Sequence, residues 1–572
     1  MVMKISIGAD HGGYAYSAFL KDALKPAEVT VYGATSAEAF DYPDAAVQVA
    51  ESVASGDADF GVLICRSGVG MCMTANRFPG VRAAVACDVK TAEMSRLHNG
   101  ANVLCLGADK ISAEGALEVV RKFISTAVDE SERHARRRMK LERCGRLSDV
   151  GTVAREDPEI YAAIKAHTIQ EDTQINLIAS ENTSSRAVKE AAGCVLMNKY
   201  AEGYPQKRWY SGCDHVDVAE GLAIRRACEL FGADHANVQP HCGSAANMAV
   251  YFAAIKPGDT IMALSLDQGG HLTHGSPVNF SGKLYRIVPY LLDRSTEAID
   301  YDALERQALE VRPRLLLSGA SAYPRSIDFR RIREIVDKVT AAMKADDPAS
   351  EGCIMMVDMS HIAGLVAGGV HQSPVPYADF VTTTTHKTLR GPRGGLVLCR
   401  EEWAKRLDAA VFPGMQGGPL ENIIAAKAIC FREAMTPGFR DYAAQVVKNC
   451  KAMCEAVAGR GYRIVSGGTD NHLFLIDVKS SRGITGKDAA DALEDAGIVV
   501  NKNTIPYDTE SPFTTSGIRA GTASVTTRGM KEEECRMIGG WIADILDDIS
   551  NMATRERVRA QAKELTQRFL VP

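Results

Sequence analysis

The sequence predicts an α/β protein in which short buried strands of parallel sheets alternate with helices. Runs rich in valine, isoleucine and leucine recur between longer amphipathic stretches, which is typical of strands covered on both faces. The chain has 572 residues, and single cores stop growing at roughly 250 to 300 residues, so two or three domains are expected. The apolar runs are residues 60–65, 81–87, 103–107, 315–319, 354–359 and 396–398.

The composition excludes several classes of function. With 46% hydrophobic and 24% charged residues, the chain has the composition of a globular protein. A formal net charge of −5 gives no general attraction to nucleic acid or to anionic membranes, and no apolar run approaches the ~20 residues of a membrane helix. Fifteen cysteines without a regular framework, and no targeting signal, predict a cytoplasmic protein. We expect small-molecule partners and no metal site.

The alternation of strands and helices breaks between Arg133 and Asp157. A basic run there is followed by a polar passage that contains glycine. Such a charge run is usually a solvated helix face. We therefore predict a domain boundary near Val150, with a first domain over residues 1–150.

The first domain opens with a strand that ends at Asp10-His11-Gly12-Gly13, and a second strand ends at Cys65 before the loop 66–70. This pattern predicts a Rossmann-like parallel sheet. Because ligands of such sheets bind beyond the carboxyl ends of the strands, Asp10, His11 and Cys65 are expected to share one crevice. Glycines there let backbone amides approach an anion. A lone cysteine is more often a small buried hydrophobe, so its role depends on the surrounding motifs.

Taken together, the motifs of this domain resemble the B-type ribose-5-phosphate isomerase family, including its galactose-6-phosphate relatives. The matching segments are 41–43, 65–70, 75–77, 95–99 and 133–134. The resemblance implies that Cys65 moves a proton between the first two carbons of a sugar phosphate, while the amides of Gly68 and Gly70 stabilise the enediolate. It implies that His98 opens the sugar ring, and that the site is shared between two subunits. The other implied positions are Ser67 in catalysis and Asp10, His11, Tyr42, Asn99, Arg133 and Arg137 in substrate binding.

Two positions depart from that family pattern. Arg66 stands where ribose-phosphate members generally carry glycine, and Ser67 stands where threonine is usual. A guanidinium beside Cys65 fills the pocket, recruits a different acidic substrate or points outward. The resemblance therefore implies an isomerase and leaves the sugar open.

The rest of the chain contains a Thr-rich motif, residues 382–388, that ends a strand and precedes a glycine-rich segment. A lysine at such a strand end, here Lys387, can bond to an aldehyde cofactor. Upstream, Asp358 ends another apolar run and can pair with a protonated pyridine nitrogen. Gly243-Ser244 predicts a turn into a helix whose free amides can hold a phosphate. Taken singly, the Thr-rich motif also fits a strand with a surface lysine, Asp358 also fits a helix cap, and Gly243-Ser244 also fits a common turn.

In their order, these segments resemble serine hydroxymethyltransferase over essentially all of residues 155–572. The matching motifs are 177–182, 198–205, 269–275, 382–388, 414–419 and 515–519. So many ordered motifs do not agree by chance. The resemblance implies a pyridoxal-phosphate enzyme of fold-type I, with an arm and a large domain over residues 151–430 and a smaller α/β domain over 431–572.

The same resemblance implies pyridoxal 5'-phosphate as the cofactor and tetrahydrofolate as the cosubstrate. Lys387 would carry the cofactor, Asp358 would pair with its pyridine nitrogen, and His271 would stack on its ring and assist catalysis. Glu202 is the implied acid and base for the hydroxymethyl group, although a surface glutamate is the alternative. Further implied cofactor contacts are Gly243, Ser244, Ser321, His361, His386 and a neighbouring subunit's Gly418. Implied substrate contacts are Ser180, Tyr200, Tyr210 and Arg519 for the amino acid, and Leu266, Gly270, Leu272 and Asn503 for the folate.

The leading hypothesis is a bifunctional enzyme, acting on serine, glycine and folate in one part and on a sugar phosphate in the other. One alternative is that only the transferase is active and the first domain binds a ligand or assists assembly. Another is that the second part is a threonine aldolase or a racemase, against which the folate positions argue. Because both families complete their sites with a second copy, a homodimer or homotetramer is expected.

Overall fold

The computed structural model describes residues 2–148 and 151–572 of the chain. It divides into two compact units, Met1–Ala166 and His167–Pro572. The predicted boundary at Val150 lies outside the described residues, and the predicted domain limits stay predictions.

The first unit is built on one parallel sheet, as predicted. Its strands are β1 (Lys4–Ala9), β2 (Glu28–Gly33), β3 (Phe60–Cys65), β4 (Ala83–Val85) and β5 (Val103–Gly107). The order is β2-β1-β3-β5-β4, and all pairs are parallel. All residues of β3 and β5 are buried, which is why these continuous apolar runs take central places. The strand order reverses between β1 and β3, and ligands of such sheets bind at that point.

Five helices pack against the sheet of the first unit: α1 (Tyr14–Ala23), α2 (Tyr42–Ala54), α3 (Val69–Ala75), α4 (Val89–Asn99) and α5 (Ala113–Ser125). They are followed by α6 (Glu132–Ser148), α7 (Gly151–Glu156) and α8 (Pro158–Thr173). The α8 helix has no buried residue and contains the limit between the units. The α5 helix begins where the Ser112 hydroxyl accepts a hydrogen bond from the Gly115 amide. Its buried face includes Val119, Val120 and Phe123, each contributing roughly 1.5 to 3 kcal/mol by burial.

The second unit contains a seven-stranded sheet. The strands of this unit are β6 (Ile175–Asn176), β7 (Gly203–Tyr204), β8 (Lys207–Arg208), β9 (His235–Asn237), β10 (Thr260–Leu264), β11 (Arg286–Tyr290), β12 (Leu315–Ser318), β13 (Ile354–Asp358), β14 (Phe380–Thr384), β15 (Gly395–Cys399), β16 (Arg463–Ile464), β17 (Leu473–Asp477), β18 (Ile498–Val499), β19 (Asn501–Asn503) and β20 (Gly517–Gly521). The large sheet has the order β11-β10-β12-β13-β14-β15-β9. Strand β15 runs antiparallel to both neighbours, so its prediction as a parallel strand was wrong. The other pairs are parallel, and β12, β13 and β14 therefore end at one edge.

A smaller antiparallel sheet has the order β16-β17-β20-β19. Strands β7 and β8 form an antiparallel pair, and β6 pairs in parallel with β18. The sequence alone did not place these short strands, because two residues carry no readable alternation.

Helices pack on both faces of the large sheet and beside the small one, in agreement with the predicted α/β class. They are α9 (Arg186–Ala192), α10 (Asp214–Phe231), α11 (Gly243–Ala254), α12 (Phe280–Leu284), α13 (Tyr301–Val311), α14 (Phe329–Asp346), α15 (Ala363–Ala367), α16 (Glu401–Val411), α17 (Glu421–Ala434), α18 (Pro437–Ala458), α19 (Val478–Arg482), α20 (Gly486–Asp495), α21 (Ala523–Thr527), α22 (Glu532–Asp547) and α23 (Met552–Arg568). Among the helices of the described residues, none has the length and apolar character needed to cross a bilayer.

Candidate active sites

The edge where β12, β13 and β14 end opens onto a cavity of about 510 Å³ in the second unit. Asp358 is the last residue of β13, and Lys387 follows the end of β14 by three residues. The predicted positions that line the cavity are Ser180, Gly243, Ser244, His271, Ser321, Asp358, His361, His386, Lys387 and Arg519. The parallel register of the strands thus brings together most of the residues predicted to bind the cofactor.

The Asp358 carboxylate lies in this cavity and is held by two neighbours. Its Oδ2 accepts a hydrogen bond from Asn247 Nδ2 at 3.0 Å and lies 3.3 Å from His274 Nε2. Burial alone raises the pKa of Asp358, but His274, the charge of His271 and the Asn247 hydrogen bond outweigh it, so that the pKa lies well below its usual value. The cavity therefore presents a permanent negative charge.

Lys387 is only 9% exposed. Burial lowers its pKa to about 8; Asp358 opposes this shift, whereas the charges of Arg519 and Arg393 add to it. A larger fraction of the amine is therefore neutral near pH 7 than in an ordinary lysine, and the neutral amine is the form that attacks an aldehyde.

Three of the four histidines that border the same cavity have a lowered pKa. Burial lowers the pKa of His271 to about 4 and that of His386 to about 3. Burial, together with the charge of Lys387, also lowers the pKa of His361 well below its usual value. Nδ1 of His361 lies 3.1 Å from Nε2 of His472, which forms a buried imidazole pair. All these rings are neutral near pH 7, which suits stacking and hydrogen bonding to a flat aromatic ring.

The turn before α11 provides a cradle for an anion. Gly243 and Ser244 are the first residues of this helix, where backbone amides are free. A side chain at Gly243 would bring its Cβ within 2.7 Å of Thr384 Cγ2, so only glycine fits. The buried Thr384 Oγ1 has no hydrogen-bond partner among the described residues. Cys242 precedes the helix without a side-chain cap bond. Free amides and an unpaired hydroxyl fit a phosphate group.

Arg519 is a buried cation, 8% exposed, on strand β20. Its Nη1 donates to the Ser321 carbonyl at 2.6 Å and its Nε donates to Asn501 Oδ1 at 3.0 Å. Burial lowers its pKa to about 10, so it stays charged. No carboxylate in residues 2–148 or 151–572 forms an ion pair with it. The free part of this guanidinium fits a substrate carboxylate.

Four predicted residues form a separate cluster, which we call the Glu202 cluster: Tyr200, Glu202, Tyr210 and Gly418. Tyr200 Oη lies 3.5 Å from Glu202 Oε1, and the rings of Tyr200 and Tyr210 lie 5.2 Å apart. A Cβ at Gly418 would touch the Tyr200 ring at 3.1 Å. Within the described part of the chain, none of these four residues lines the Lys387 cavity. The charge of Glu202 raises the pKa of Tyr210.

The predicted folate positions surround the loop before His271. Leu266 and Leu272 are exposed, and a side chain at Gly270 would clash with the Leu264 carbonyl at 2.3 Å. Asn503 lies within hydrogen-bonding distance of Asn501, which in turn accepts from Arg519. Two exposed leucines beside a polar cavity fit a ligand with an apolar ring system.

Sequence reasoning assigned no role to Asn247, His274, Thr384 and Arg393, which also belong to this site. A signal for Asn247 existed, because it is a buried amide in the otherwise apolar middle of α11. The ligand atoms of His271, His274 and Asp358 lie within 4.8 Å of one another, a spacing that a metal ion can use. Sequence reasoning had assigned no metal to these residues.

The first unit brings Asp10 and Cys65 together at the β1/β3 switch point. The Asp10 amide donates to the Ile64 carbonyl at 3.2 Å, and Asp10 Oδ1 accepts from the Gly12 and Gly13 amides. The Gly68 amide donates to Cys65 Sγ at 3.1 Å, with Gly68 at a φ of 76° that favours glycine. This amide was predicted to bind an enediolate, whereas here it is directed at the sulfur.

Other predicted positions surround that switch point. His11 Nδ1 lies 3.3 Å from the Phe40 carbonyl, and Ser67 is exposed with its hydroxyl 3.3 Å from the Val69 amide. A Cβ at Gly70 would meet the Tyr42 ring at 2.7 Å, so the ring packs directly on this loop.

The remaining predicted positions of the first unit form a second cluster. His98 and Asn99 end α4, and the His98 ring stacks on His134 of α6 at 4.1 Å. Arg133 and Arg137 lie on the same helix. Burial and the charge of His98 lower the pKa of His134 most, and the charges of Arg133 and Arg137 lower it further. Within residues 2–148, no described hydrogen bond, ion pair or ring contact joins this cluster to Cys65.

Comparison with known families agrees with both resemblances. A model described as serine hydroxymethyltransferase matches residues 153–542, more than half of the chain, and a model described as ribose/galactose isomerase matches residues 5–141. The first is a pyridoxal-phosphate family of fold-type I that uses tetrahydrofolate. The predicted fusion and fold class are therefore confirmed. The chain belongs to the serine hydroxymethyltransferase family and carries, ahead of that domain, a domain of the ribose/galactose isomerase family.

Proposed function

We propose that this protein interconverts serine plus tetrahydrofolate with glycine plus 5,10-methylene-tetrahydrofolate, and that its first domain isomerises an aldose or ketose sugar phosphate. The observation that carries the first activity is the cavity in which the Lys387 amine and the Asp358 carboxylate lie beneath a phosphate-binding turn. Pyridoxal phosphate, when bound, supplies an electron sink for bond cleavage at the amino-acid α-carbon.

The residues that would hold the cofactor follow from the cavity. Gly243, Ser244 and Thr384 fit the phosphate, and Asp358 fits a protonated ring nitrogen because its pKa is low. The neutral His271 suits the ring face. His361 is proposed beside the phenolic oxygen, while Ser321 and His386 line the remaining wall.

The substrate would be held by charge and then acted on by a proton carrier. Arg519 binds the amino-acid carboxylate with two parallel hydrogen bonds, and Ser180 assists from the cavity wall. Glu202 accepts and returns the proton of the serine hydroxyl. The exposed Leu266 and Leu272 support a folate cosubstrate, and thus a transferase rather than an aldolase.

Each site would be completed by a second copy of the chain. Tyr200 and Tyr210 of the Glu202 cluster are exposed, Glu202 and Gly418 are half-buried, and the cluster lies outside the Lys387 cavity of its own chain. The proposed chemistry needs both the cluster and the cavity. A two-fold axis that places each chain's Glu202 cluster over the partner's cavity would complete both sites of the dimer at once, as expected of a self-complementary interface. We therefore infer a homodimer or a tetramer built from such dimers.

Borohydride reduction of the cofactor-loaded protein should fix the cofactor to Lys387, as peptide mapping would show. Lys427 is the informative rival, because burial lowers its pKa to about 7. Its Nζ, however, donates to the carbonyls of Val238, Pro240 and Gly395. A label on Lys427 or on any other lysine would contradict the assignment.

For the first domain, Arg66→Gly should shift the preference toward ribose 5-phosphate by roughly tenfold or more in kcat/KM, since a hydrogen bond to a charged group contributes about 1.5 to 3 kcal/mol. Arg66 follows Cys65, and its Cγ would lie 2.8 Å from a Cβ at Gly12, beside Asp10. A panel of pentose and hexose phosphates, with Arg121→Gly on α5 as the control, measures the shift. Equal preferences in parent and variant would show that Arg66 points away from the substrate.

A further inference from the structure

A buried arginine holds the backbone on both sides of Glu202. Arg208 has a side chain only 3% exposed. Its Nη1 donates to the carbonyls of Ala201 at 2.8 Å and Gly203 at 3.1 Å, and its Nη2 donates to Glu220. The path of the chain at Glu202 is therefore set from inside the protein, although the neighbouring Tyr200 and Tyr210 are exposed.

Gln239 joins this structure to the phosphate-binding turn. It is 2% exposed, and its Nε2 donates to the Gly203 carbonyl at 2.9 Å and to Glu220 Oε1 at 2.7 Å. Both partners are acceptors, so the amide nitrogen must face them. Four residues further along the chain, at Gly243, α11 begins. One side chain thus links the segment that leads into the phosphate-binding turn to the backbone next to Glu202.

The segment after Gln239 is also fixed from the other side. The Gln239 carbonyl accepts from Gln416 Nε2 at 3.0 Å, and Gln416 Oε1 accepts from the His241 amide at 3.1 Å. Gln416 lies two residues before Gly418, a member of the Glu202 cluster. The ammonium of Lys427 donates to Val238, Pro240 and Gly395 at 2.6, 3.1 and 2.8 Å. The segment before the turn, the Glu202 segment and the Gly418 loop therefore share one set of hydrogen bonds, in which Gln239 and Lys427 are buried.

We propose that Gln239 is a positioning residue, through which occupancy of the phosphate-binding turn in one site orders the Glu202 that acts in the neighbouring site. The inference rests on the proposed role of Glu202. It makes the two sites of a dimer interdependent, because each chain's own turn supports the acid and base it lends to its partner.

Hydrogen exchange of the full-length protein tests this link without using activity. Addition of pyridoxal phosphate to the apoprotein should slow exchange both at the start of α11 and in residues 203–209, whose Trp209 amide donates to the Glu202 carbonyl. In Gln239→Met, which keeps the length but has no donor, protection at α11 should remain and the added protection of 203–209 should be lost. Equal protection of 203–209 in parent and variant would overturn the proposal.

Kinetics provide the second readout. Gln239→Met should lower kcat for serine cleavage about 10- to 100-fold, the loss expected when a reacting group is misplaced by about 1 Å, with less than about threefold change in the KM for serine and in the Kd for pyridoxal phosphate. Gln239→Glu should be worse, since it sets a carboxylate against Glu220 and the Gly203 carbonyl. A variant in which kcat is retained, or in which KM and Kd account for the whole loss, would contradict the positioning role.

Asn449→Leu is the matched control for a merely structural loss. Asn449 is a buried amide whose Nδ2 also donates two hydrogen bonds, to Thr526 Oγ1 and the Met530 carbonyl, away from the Glu202 segment. It should lower the melting temperature as Gln239→Met does, yet keep kcat and the cofactor-linked protection of 203–209. If Asn449→Leu loses kcat and the protection of 203–209 to the same extent as Gln239→Met, Gln239 acts only through stability. These outcomes can be told apart from failure of the proposed function. If Glu202 is not the acid and base, Glu202→Gln stays active, whatever the exchange data show for Gln239→Met.

Discussion

Glu202→Gln should lower the rate of serine cleavage with tetrahydrofolate about 10²- to 10⁴-fold, the range that general acid–base groups contribute. Glutamine keeps the shape of the side chain but cannot take up or return a proton. Cofactor absorbance should stay nearly intact, because glutamine has the same shape and the proposed cofactor contacts do not include Glu202. Steady-state kinetics and the cofactor spectrum measure the two effects.

The exposed Glu455→Gln on α18 is the control and should behave like the parent. Mixed dimers of Glu202→Gln and Lys387→Ala chains test the sharing of sites. One site of such a dimer contains both an intact Lys387 and an intact Glu202, so activity should return on mixing. Near-normal turnover of Glu202→Gln would reject its role, and mixed dimers without activity would place Glu202 in the site of its own chain.

Cys65→Ser should abolish isomerisation of the sugar phosphate, with a loss of at least about 10²-fold, and leave serine cleavage unchanged. A serine hydroxyl occupies nearly the same place beneath the Gly68 amide, but its alkoxide is far harder to form than a thiolate. A screen of sugar phosphates on the full chain identifies the substrate, and serine cleavage by the same sample reports on folding.

A neighbouring thiol supplies the control. This thiol is Cys72, whose pKa is lowered to about 7. The largest cause is its hydrogen bond with Cys105, and burial opposes the shift. The Cys72 thiol is therefore more acidic than an ordinary cysteine, yet Cys72 lies on α3 rather than at the strand end. Cys72→Ser should keep isomerase activity. Loss in Cys72→Ser with retention in Cys65→Ser would move the catalytic role to Cys72.

The strand ends of both units could be predicted from sequence, because parallel strands end at a common edge. This rule places Asp358 near Lys387 and Asp10 near Cys65, and the structure agrees. Continuous apolar runs also identified the central strands. The direction of β15 could not be read, because a short buried run looks alike in parallel and antiparallel pairs.

Contacts made at long range account for most of what sequence reasoning missed. His274 and Asn247 hold Asp358 from segments 84 and 111 residues away along the chain, and no local pattern reports such an approach. The separation of Glu202, Tyr200 and Tyr210 from the Lys387 cavity was missed for the same reason. In this part of the chain the resemblance assigned only Gly418 to a neighbouring subunit and did not say which copy supplies Glu202, Tyr200 and Tyr210.

The buried Arg519 has a consequence for the protein at rest. Its charge is removed from water, and no described carboxylate neutralises it, an arrangement that disfavours the folded chain. If Arg519 binds the amino-acid carboxylate as proposed, the arriving substrate would supply the missing counterion and would stabilise the native state increasingly as its concentration rises above its Kd. The supply of substrate would then also set how readily the empty protein unfolds.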